Sequence, residues 1–105
     1  MDAVTTTLRI FQTAVDPADL DEVRRLFTDD VLPVYRAFPG CTSIELLLST
    51  ERHPGGLLEC ATVSRWEELE AMDEAMESRA AKEAQVRILQ LLRQEPLVRV
   101  FEVLG

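Results

Sequence analysis

The chain has 105 residues, of which 47% are hydrophobic and 29% charged, and its formal net charge is −8 at pH 7. This length and composition predict one folded globular domain over residues 1–105. The acidic balance, without a stripe of Lys and Arg, argues against nucleic acid and anionic membranes as partners. No apolar run approaches the ~20 residues of a membrane-spanning helix, and residues 1–5 lack a secretory pattern, so we expect a cytoplasmic protein.

The first part of the chain predicts a strand followed by a long amphipathic helix. Residues 5–14 are rich in β-branched side chains and alternate loosely, which favours a strand. Asp16 and Pro17 are typical of an N-cap and a first helical position. Pro33 falls late in the helix, where it is expected to kink or locally end it. The apolar face has spacings of three and four and comprises Leu20, Val23, Phe27, Val31 and Tyr35.

The middle of the chain predicts a β-hairpin. Pro39-Gly40 ends the first helix, and residues 41–50 alternate as a second strand. The Pro-Gly-Gly in residues 51–56 is typical of a turn, and residues 57–63 predict the third strand. Ile44, Leu46 and Leu48 share one face of the second strand.

The last part predicts a bent helix and a fourth strand. Ser64 and Glu67 match a capping box, so a helix is expected to begin at Ser64. Helical character continues to Leu92, with a bend expected near Glu77-Ser78 because one straight helix would be too long for this domain. Pro96 stops the helix, and residues 97–104 alternate as a strand.

This element order predicts an α+β fold of the ferredoxin-like, split β-α-β-β-α-β type. Its four-stranded antiparallel sheet would carry both helices on one face. Strand residues that point to opposite faces are nevertheless both apolar, whereas a half-exposed sheet should alternate more cleanly. We therefore expect a homodimer through the sheet faces. The apolar residues on opposite faces include Leu8 and Ile10 against Phe11, and Phe101 and Val103 against Val98 and Val100.

The cysteines and the histidine give no metal or disulfide pattern. Cys41 and Cys60 fall far out of register on the predicted hairpin, so free buried thiols are expected. His53, the only histidine, falls in the turn and has no ligand-spaced partner. We expect no metal.

Four residues are candidates for chemistry, each with a structural alternative. Trp66 could stack on an aromatic ligand or anchor a helix to the sheet. Tyr35 could handle a proton or simply complete the apolar helix face. Arg9 and Arg99 could stabilise an anionic oxygen, or pair at a dimer interface with Glu45, Glu59 or Glu102.

A second group of residues could line a pocket. Aromatic and Met side chains at helical spacing are also common in plain core, so both interpretations stay open. The candidate substrate-binding residues are Phe11, Phe27, Phe38, Thr62, Met72, Met76 and Arg99.

Several features together resemble the antibiotic biosynthesis monooxygenase family of the dimeric α/β-barrel superfamily. They are the opening strand, Asp16-Pro17, Pro39-Gly40-Cys41 entering the second strand, and Trp66 after the third. Residues 66–72 followed by Ser78 are similar to the family's second-helix pattern. The resemblance covers nearly the whole chain. It implies a dimer of sheets, a pocket between sheet and helices, and oxygenation of aromatic polyketides or quinols without metal or flavin.

The chain departs from the family at positions that matter for catalysis. Ala75 stands at the position where the resemblance implies a helix histidine, Ala80 follows the Ser78 turn, and the first strand has no asparagine. Thr62 stands four residues before Trp66, where the polyketide-oxidising type can carry an asparagine. Without a helix histidine, the chain has no obvious haem ligand and no obvious imidazole base.

The resemblance and the candidate residues lead to three functional expectations. The first is a cofactor-independent monooxygenase acting on a small aromatic, quinol or polyketide-like substrate, with Trp66, Tyr35 and Arg9 or Arg99 in its site. The alternative is a non-catalytic small-molecule-binding dimer of the same fold. The third is a purely structural dimer, which a cavity too small for one ring would favour.

Overall fold

The computed structural model describes residues 5–51 and 53–105. Residues 1–4, on which the N-terminal expectation rests, and Arg52 of the predicted turn lie outside the described residues. The sheet has the strand order β2-β3-β1-β4, and all neighbouring strands are antiparallel. The ferredoxin-like α+β fold is confirmed. The strands are β1 (Thr7–Val15), β2 (Cys41–Leu48), β3 (Leu58–Trp66) and β4 (Leu97–Glu102).

The first helical run has four consecutive parts. Asp16 is the N-cap, as predicted, and its Oδ1 accepts a hydrogen bond from the Ala18 N–H at 2.8 Å. A cap of this kind satisfies a backbone donor that the first helical turn leaves free. The parts are a 3₁₀ turn (Pro17–Asp19), α1 (Leu20–Leu26), a π-helical segment (Phe27–Val31) and α2 (Leu32–Ala37).

Pro33 is accommodated without ending the helical run. It lies in the first turn of α2, where a missing N–H costs least. Immediately before it the chain widens into the π-helical segment, and Leu32 N–H donates to the carbonyl of Phe27, five residues back. The extra residue in this turn changes the direction in which Val31 and Tyr35 meet the sheet.

The second helical run breaks where the sequence predicts a bend. Helix α3 covers Leu69–Glu77 and α4 covers Arg79–Leu89, with extended backbone at Ser78 between them. The Ser78 Oγ accepts from the Ala81 N–H at 3.2 Å and caps α4.

The predicted capping box at Ser64 is wrong. Strand β3 continues through Trp66, whose Cα lies opposite Thr7 of β1 and Cys41 of β2. Pairing on both edges of β3 gives the backbone of this segment its hydrogen bonds, so the strand displaces the local helix-start pattern. Helix α3 begins five residues later than Ser64.

The helices lie on one face of the sheet. Arg9 of β1 faces them and pairs with Val100 of β4, so Val100 shares that face. Leu8 pairs with Phe101 on the opposite face. Val100 is 44% exposed and Phe101 is 51% exposed. The helices therefore leave β4 uncovered, and the far side of the sheet presents apolar side chains to solvent.

The core lies between the helices and strands β1, β2 and β3. One cluster surrounds Trp66 and the other surrounds Val15, Val23 and Cys60. Cys41 and Cys60 are both free thiols, as predicted, but only Cys60 is buried and Cys41 is partly exposed. Within the described residues, no helix is long and apolar enough to cross a membrane.

Candidate functional site

A cavity lies between the helix-facing side of the sheet and the helices. Strand β1 contributes Arg9 and Phe11, the first helical run contributes Phe27 and Tyr35, and α4 contributes Gln85. The cavity has a volume of about 50 Å³ and is partly open to solvent. The remaining polar side chains in the lining are Thr13, Cys60 and Thr62.

Arg9 is the positive charge of this cavity. Its guanidinium carbon lies 5.7 Å from the centroid of the Phe11 ring, within the range of a cation–π contact. No carboxylate of residues 5–51 or 53–105 forms an ion pair with it. Glu59 is one of the acidic residues that the sequence suggested as arginine partners, but its carboxylate accepts a hydrogen bond from Gln12 and does not pair with Arg9. Arg9 is thus a partly buried cation that has an aromatic neighbour but no ion-pair partner among the described residues.

Tyr35 is the most deeply buried polar group in the cavity wall, with 2% of its surface exposed. Gln85 Nε2 donates a hydrogen bond to its hydroxyl at 2.7 Å. The hydroxyl in turn lies 3.5 Å from the thioether sulfur of Met76. Burial raises the pKa of Tyr35 above its ordinary value, and the charge of Arg9 and the Gln85 hydrogen bond offset this only in part. Tyr35 is therefore a neutral phenol at physiological pH.

Trp66 lies behind the cavity wall and does not line it. The side chain has no exposed surface, and its Nε1 donates to Ser64 Oγ at 2.9 Å. Its ring centroid is 6.1 Å from that of Tyr35 and 6.1 Å from that of Phe38. Stacking on a ligand needs a ring face that opens into the cavity, whereas this ring packs against Tyr35 and Phe38. The position makes Trp66 a support for the Tyr35 ring.

The structure brings together only part of the predicted site. Phe11, Phe27 and Thr62 line the cavity with Arg9 and Tyr35. The other predicted residues lie elsewhere: Phe38, Met72 and Met76 pack in the cluster around Trp66, and Arg99, opposite Ile10, points to the far face of the sheet.

Gln85 is a polar cavity residue that the sequence analysis missed, as is Thr13. On α4, Gln85 follows the buried Ala81 by four residues and precedes the partly buried Ile88 by three. This spacing places it on the helix face that meets the core. A polar residue on such a face is the signal that could have identified it.

The cavity region offers neither a reactive thiol nor, in the described residues, a cluster of metal ligands. Burial raises the pKa of the Cys60 thiol, and the nearby Glu59 charge raises it further, so the thiol is protonated and a poor nucleophile. No group of three or more His, Cys, Asp or Glu side chains that could hold a metal ion occurs in the described part of the chain. Anion binding by Arg9 and proton donation by Tyr35 are what the arrangement offers.

The cavity volume is small for an aromatic ligand. A cavity of ~150 Å³ binds benzene, well above the 50 Å³ found here. The space holds one or two water molecules, so a ring must occupy the open mouth or displace side chains.

Solved structures share this fold along nearly the whole chain. The Rv0793 protein of Mycobacterium tuberculosis superposes with a TM-score of 0.72 at 25% identity, covering 95% of this chain and 96% of the other. A conserved protein of Methanosarcina mazei gives 0.75 at 16%, covering 94% and 93%. A variant of SnoaB, a cofactor-independent oxygenase from Streptomyces nogalater, gives 0.73 at 13%, covering 93% and 92%. At 13% and 16% identity, the last two similarities show the fold alone.

A family model extends these similarities to the sequence. No curated protein sequence matches this chain significantly. The model described as antibiotic biosynthesis monooxygenase matches residues 7–87, from the first residue of β1 into α4. The matched segment contains Arg9, Tyr35 and Gln85. The chain belongs to the antibiotic biosynthesis monooxygenase family.

Proposed function

We propose that the protein is a cofactor-independent monooxygenase that oxidises a small aromatic or quinol-type substrate in the cavity beside Arg9 and Tyr35. The observation that supports this most is the position of Arg9. A cation that has no carboxylate partner among the described residues, in a mainly apolar cavity, favours a ligand that carries negative charge.

The proposed chemistry needs only the substrate and dioxygen. Arg9 lowers the pKa of an acidic substrate, and the released proton leaves through the open mouth. The resulting anion transfers one electron to dioxygen, and the radical and superoxide combine to a peroxide anion at carbon. A proton returned from solvent converts this anion to the hydroperoxide. Loss of water then converts a CH₂ group to C=O, so that one oxygen atom enters the product and the other leaves as water. Tyr35 donates a proton or hydrogen bond to the oxygen that carries charge.

The protein's contribution in this scheme is largely electrostatic. Phe11, Phe27 and the aliphatic lining exclude water, which strengthens the attraction between Arg9 and an anion. Thr62 adds a hydroxyl group that can position the ligand. Trp66 acts through Tyr35 by holding its ring.

The second candidate is a non-catalytic small-molecule-binding protein of the same fold. It is favoured by the small cavity volume and by Ala75 at the position where the resemblance implies a helix histidine. The structural dimer with a filled core is favoured by the same volume, but the presence of Arg9, Tyr35 and Gln85 in the lining of a partly open cavity argues for a ligand.

We also propose that two copies associate through the far faces of their sheets. Leu97 and Phe101 of β4 are 49% and 51% exposed on that face. Leu8 and Ile10 of β1 are partly exposed beside them. Burying these side chains against a second sheet would remove apolar surface from water.

Oxygen consumption tests the proposed function. The purified protein is mixed with hydroquinones, anthrones and flavonols, without added cofactor and beside autoxidation blanks. We expect uptake above the blank that is lost in Arg9→Met and Tyr35→Phe and kept in Arg99→Met, which changes an arginine on the opposite face. Loss of uptake in Arg99→Met but not in Arg9→Met would contradict the site.

The same panel separates the other candidates. Saturable quenching of Trp66 fluorescence without oxygen uptake would establish the binding protein instead. Neither quenching nor uptake by any compound would favour the structural dimer.

A further inference from the structure

Gln85 and Tyr35 form a side-chain hydrogen bond within the cavity wall, between α4 and the first helical run. The other side-chain link between these elements, from Arg87 to Asp30, does not involve cavity-lining residues. Gln85 Nε2 donates to the Tyr35 hydroxyl at 2.7 Å over a sequence separation of 50 residues. Gln85 is partly buried and Tyr35 is buried, and both line the cavity. The contact is therefore part of the site and not a surface pair.

The direction of this hydrogen bond constrains the phenolic proton. An oxygen that accepts from Gln85 still has its own O–H to donate. In the structure that proton goes to the Met76 sulfur, 3.5 Å away. A thioether is a weak acceptor. The Tyr35 O–H is thus available to any stronger acceptor that enters the cavity.

We propose that Gln85 is a positioning residue that keeps Tyr35 a hydrogen-bond donor toward the cavity, so that the site takes its ligand through an ionised phenolic or enolic oxygen. The part of this proposal that concerns the ligand rests on the proposed function, whereas the part that concerns Gln85 does not. An ionised oxygen accepts from Tyr35 and pairs with Arg9 at once. A neutral phenol carries a proton on its oxygen, and this proton would face Arg9 and Tyr35, which are both hydrogen-bond donors.

Few other groups around Tyr35 could make the site prefer an ionised ligand oxygen. Arg9 reaches it from β1 and Cys41 from β2, and these are the ionisable groups that influence its pKa. The helices contribute two neutral side chains, Gln85 from α4 and Met76 from α3. The polarity of the Gln85 hydrogen bond is therefore the feature that an experiment must establish.

Tyr35 can be observed alone because it is the only tyrosine in the chain. We would incorporate 3-fluorotyrosine, whose more acidic phenol ionises before alkaline unfolding, and follow its titration by fluorine NMR on the ligand-free protein. Gln85→Met removes the donor at similar volume, so we expect a higher pKa for Tyr35. Gln85→Glu introduces an acceptor and a negative charge, so we expect a still higher pKa. Met76→Leu, the matched control on α3, should not raise it.

The direction in which the pKa of Tyr35 changes in Gln85→Met tests the role of Gln85. A pKa that falls or stays the same in Gln85→Met would show that Gln85 does not donate to Tyr35, and the proposal would be overturned. This result does not depend on oxygenase activity, so failure of the proposed function would leave it standing.

Binding of 4-nitrophenol tests the ligand part, because its phenol and phenolate absorb differently. We expect the wild-type protein to bind the phenolate preferentially, and Gln85→Met to bind it about tenfold more weakly. Gln85→Glu should lose this binding, and Met76→Leu should keep it. Phenolate binding that is absent in the wild type or unchanged in Gln85→Met would overturn the ligand part.

Discussion

Trp66 and Ser64 are joined side chain to side chain inside the sheet, with the indole Nε1 donating to the serine Oγ at 2.9 Å. The two residues are two positions apart on β3 and therefore share its helix-facing side. Neither is more than 2% exposed. The hydrogen bond fixes the indole behind Tyr35, so the position of the cavity wall depends on a contact outside the cavity.

Removing the Ser64 hydroxyl should destabilise the fold. Ser64→Ala leaves a buried indole N–H without its acceptor, and we expect a loss of about 1–3 kcal/mol in the free energy of unfolding. Urea denaturation measures it. In a Trp66→Phe background the donor is absent, so the same change should cost much less. An equal loss in both backgrounds would show that the hydrogen bond contributes little.

Gly40 should tolerate a side chain far less well than Gly55. Both have positive φ, at +88° and +89°, but a Cβ on Gly40 would lie 2.8 Å from the Ala71 Cβ, whereas one on Gly55 would meet nothing within 4 Å. Gly55→Ala should therefore show only the backbone cost of about 1–2 kcal/mol. Gly40→Ala should lose more, measured by urea denaturation. Because Ala71→Gly itself destabilises α3, Gly40→Ala is measured again in the Ala71→Gly background. The excess should disappear there, and an undiminished excess would rule out the clash as its cause.

The fold could be predicted because the sequence patterns that indicate it extend over whole helices and strands. The period of the apolar residues changes from about two to 3.6 and back at the element boundaries, and the break at Ser78 follows from the length of the second helical run. The start of α3 was missed because the Ser64–Glu67 pattern is local. The ladder between Trp66 and the two neighbouring strands is not visible in the local sequence.

The site was predicted less completely because a cavity depends on side-chain packing in three dimensions. Alternation correctly places Arg9 and Phe11 on one face of β1 and so can separate Arg9 from Arg99 once the strand register is known. It does not show that Trp66 lies behind Tyr35, since both belong to one inward-facing layer. The depth of a residue within such a layer follows from the helix positions, here set partly by the π-helical segment before Pro33.

The protein should lose stability in alkaline solution. Burial raises the pKa of Tyr35 and of Cys60 above their ordinary values of 10.0 and 9.0. Below these values both the folded and the unfolded chain are protonated, and these groups add no pH dependence. Above them the unfolded chain releases its protons first, so the free energy of unfolding falls as the pH rises. Urea denaturation from pH 8 to 11 should show a smaller fall in Tyr35→Phe/Cys60→Ala, and an unchanged slope would exclude these groups as its cause.

A charge on the far face of the sheet should separate the proposed dimer. Phe101 and Val100 are adjacent on β4 and similarly exposed, at 51% and 44%, but they point to opposite faces. Phe101→Glu should convert the dimer to a monomer because it places a charge in the apolar contact. Val100→Glu, the matched control, should leave the dimer intact. Light scattering or solution X-ray scattering distinguishes the two states, and a wild-type monomer at micromolar concentration would exclude the dimer.

Arg9 should matter to ligand binding but not to folding. A structural ion pair that loses one partner costs about 3–5 kcal/mol when it is buried. Arg9 has no such partner among the described residues. Its contact with Phe11 contributes about 0.5–1 kcal/mol, and relief of its partial desolvation in Arg9→Met offsets that loss.

We therefore expect Arg9→Met to unfold at the wild-type urea concentration or a higher one, while its binding of 4-nitrophenolate is lost. Arg99→Met, on the other face, should keep the binding. A large loss of stability in Arg9→Met would mean that the arginine holds the fold together, and the case for an anion site would fail. If Arg9→Met loses binding while its stability is unchanged, the charge of Arg9 serves the ligand and does not stabilise the fold.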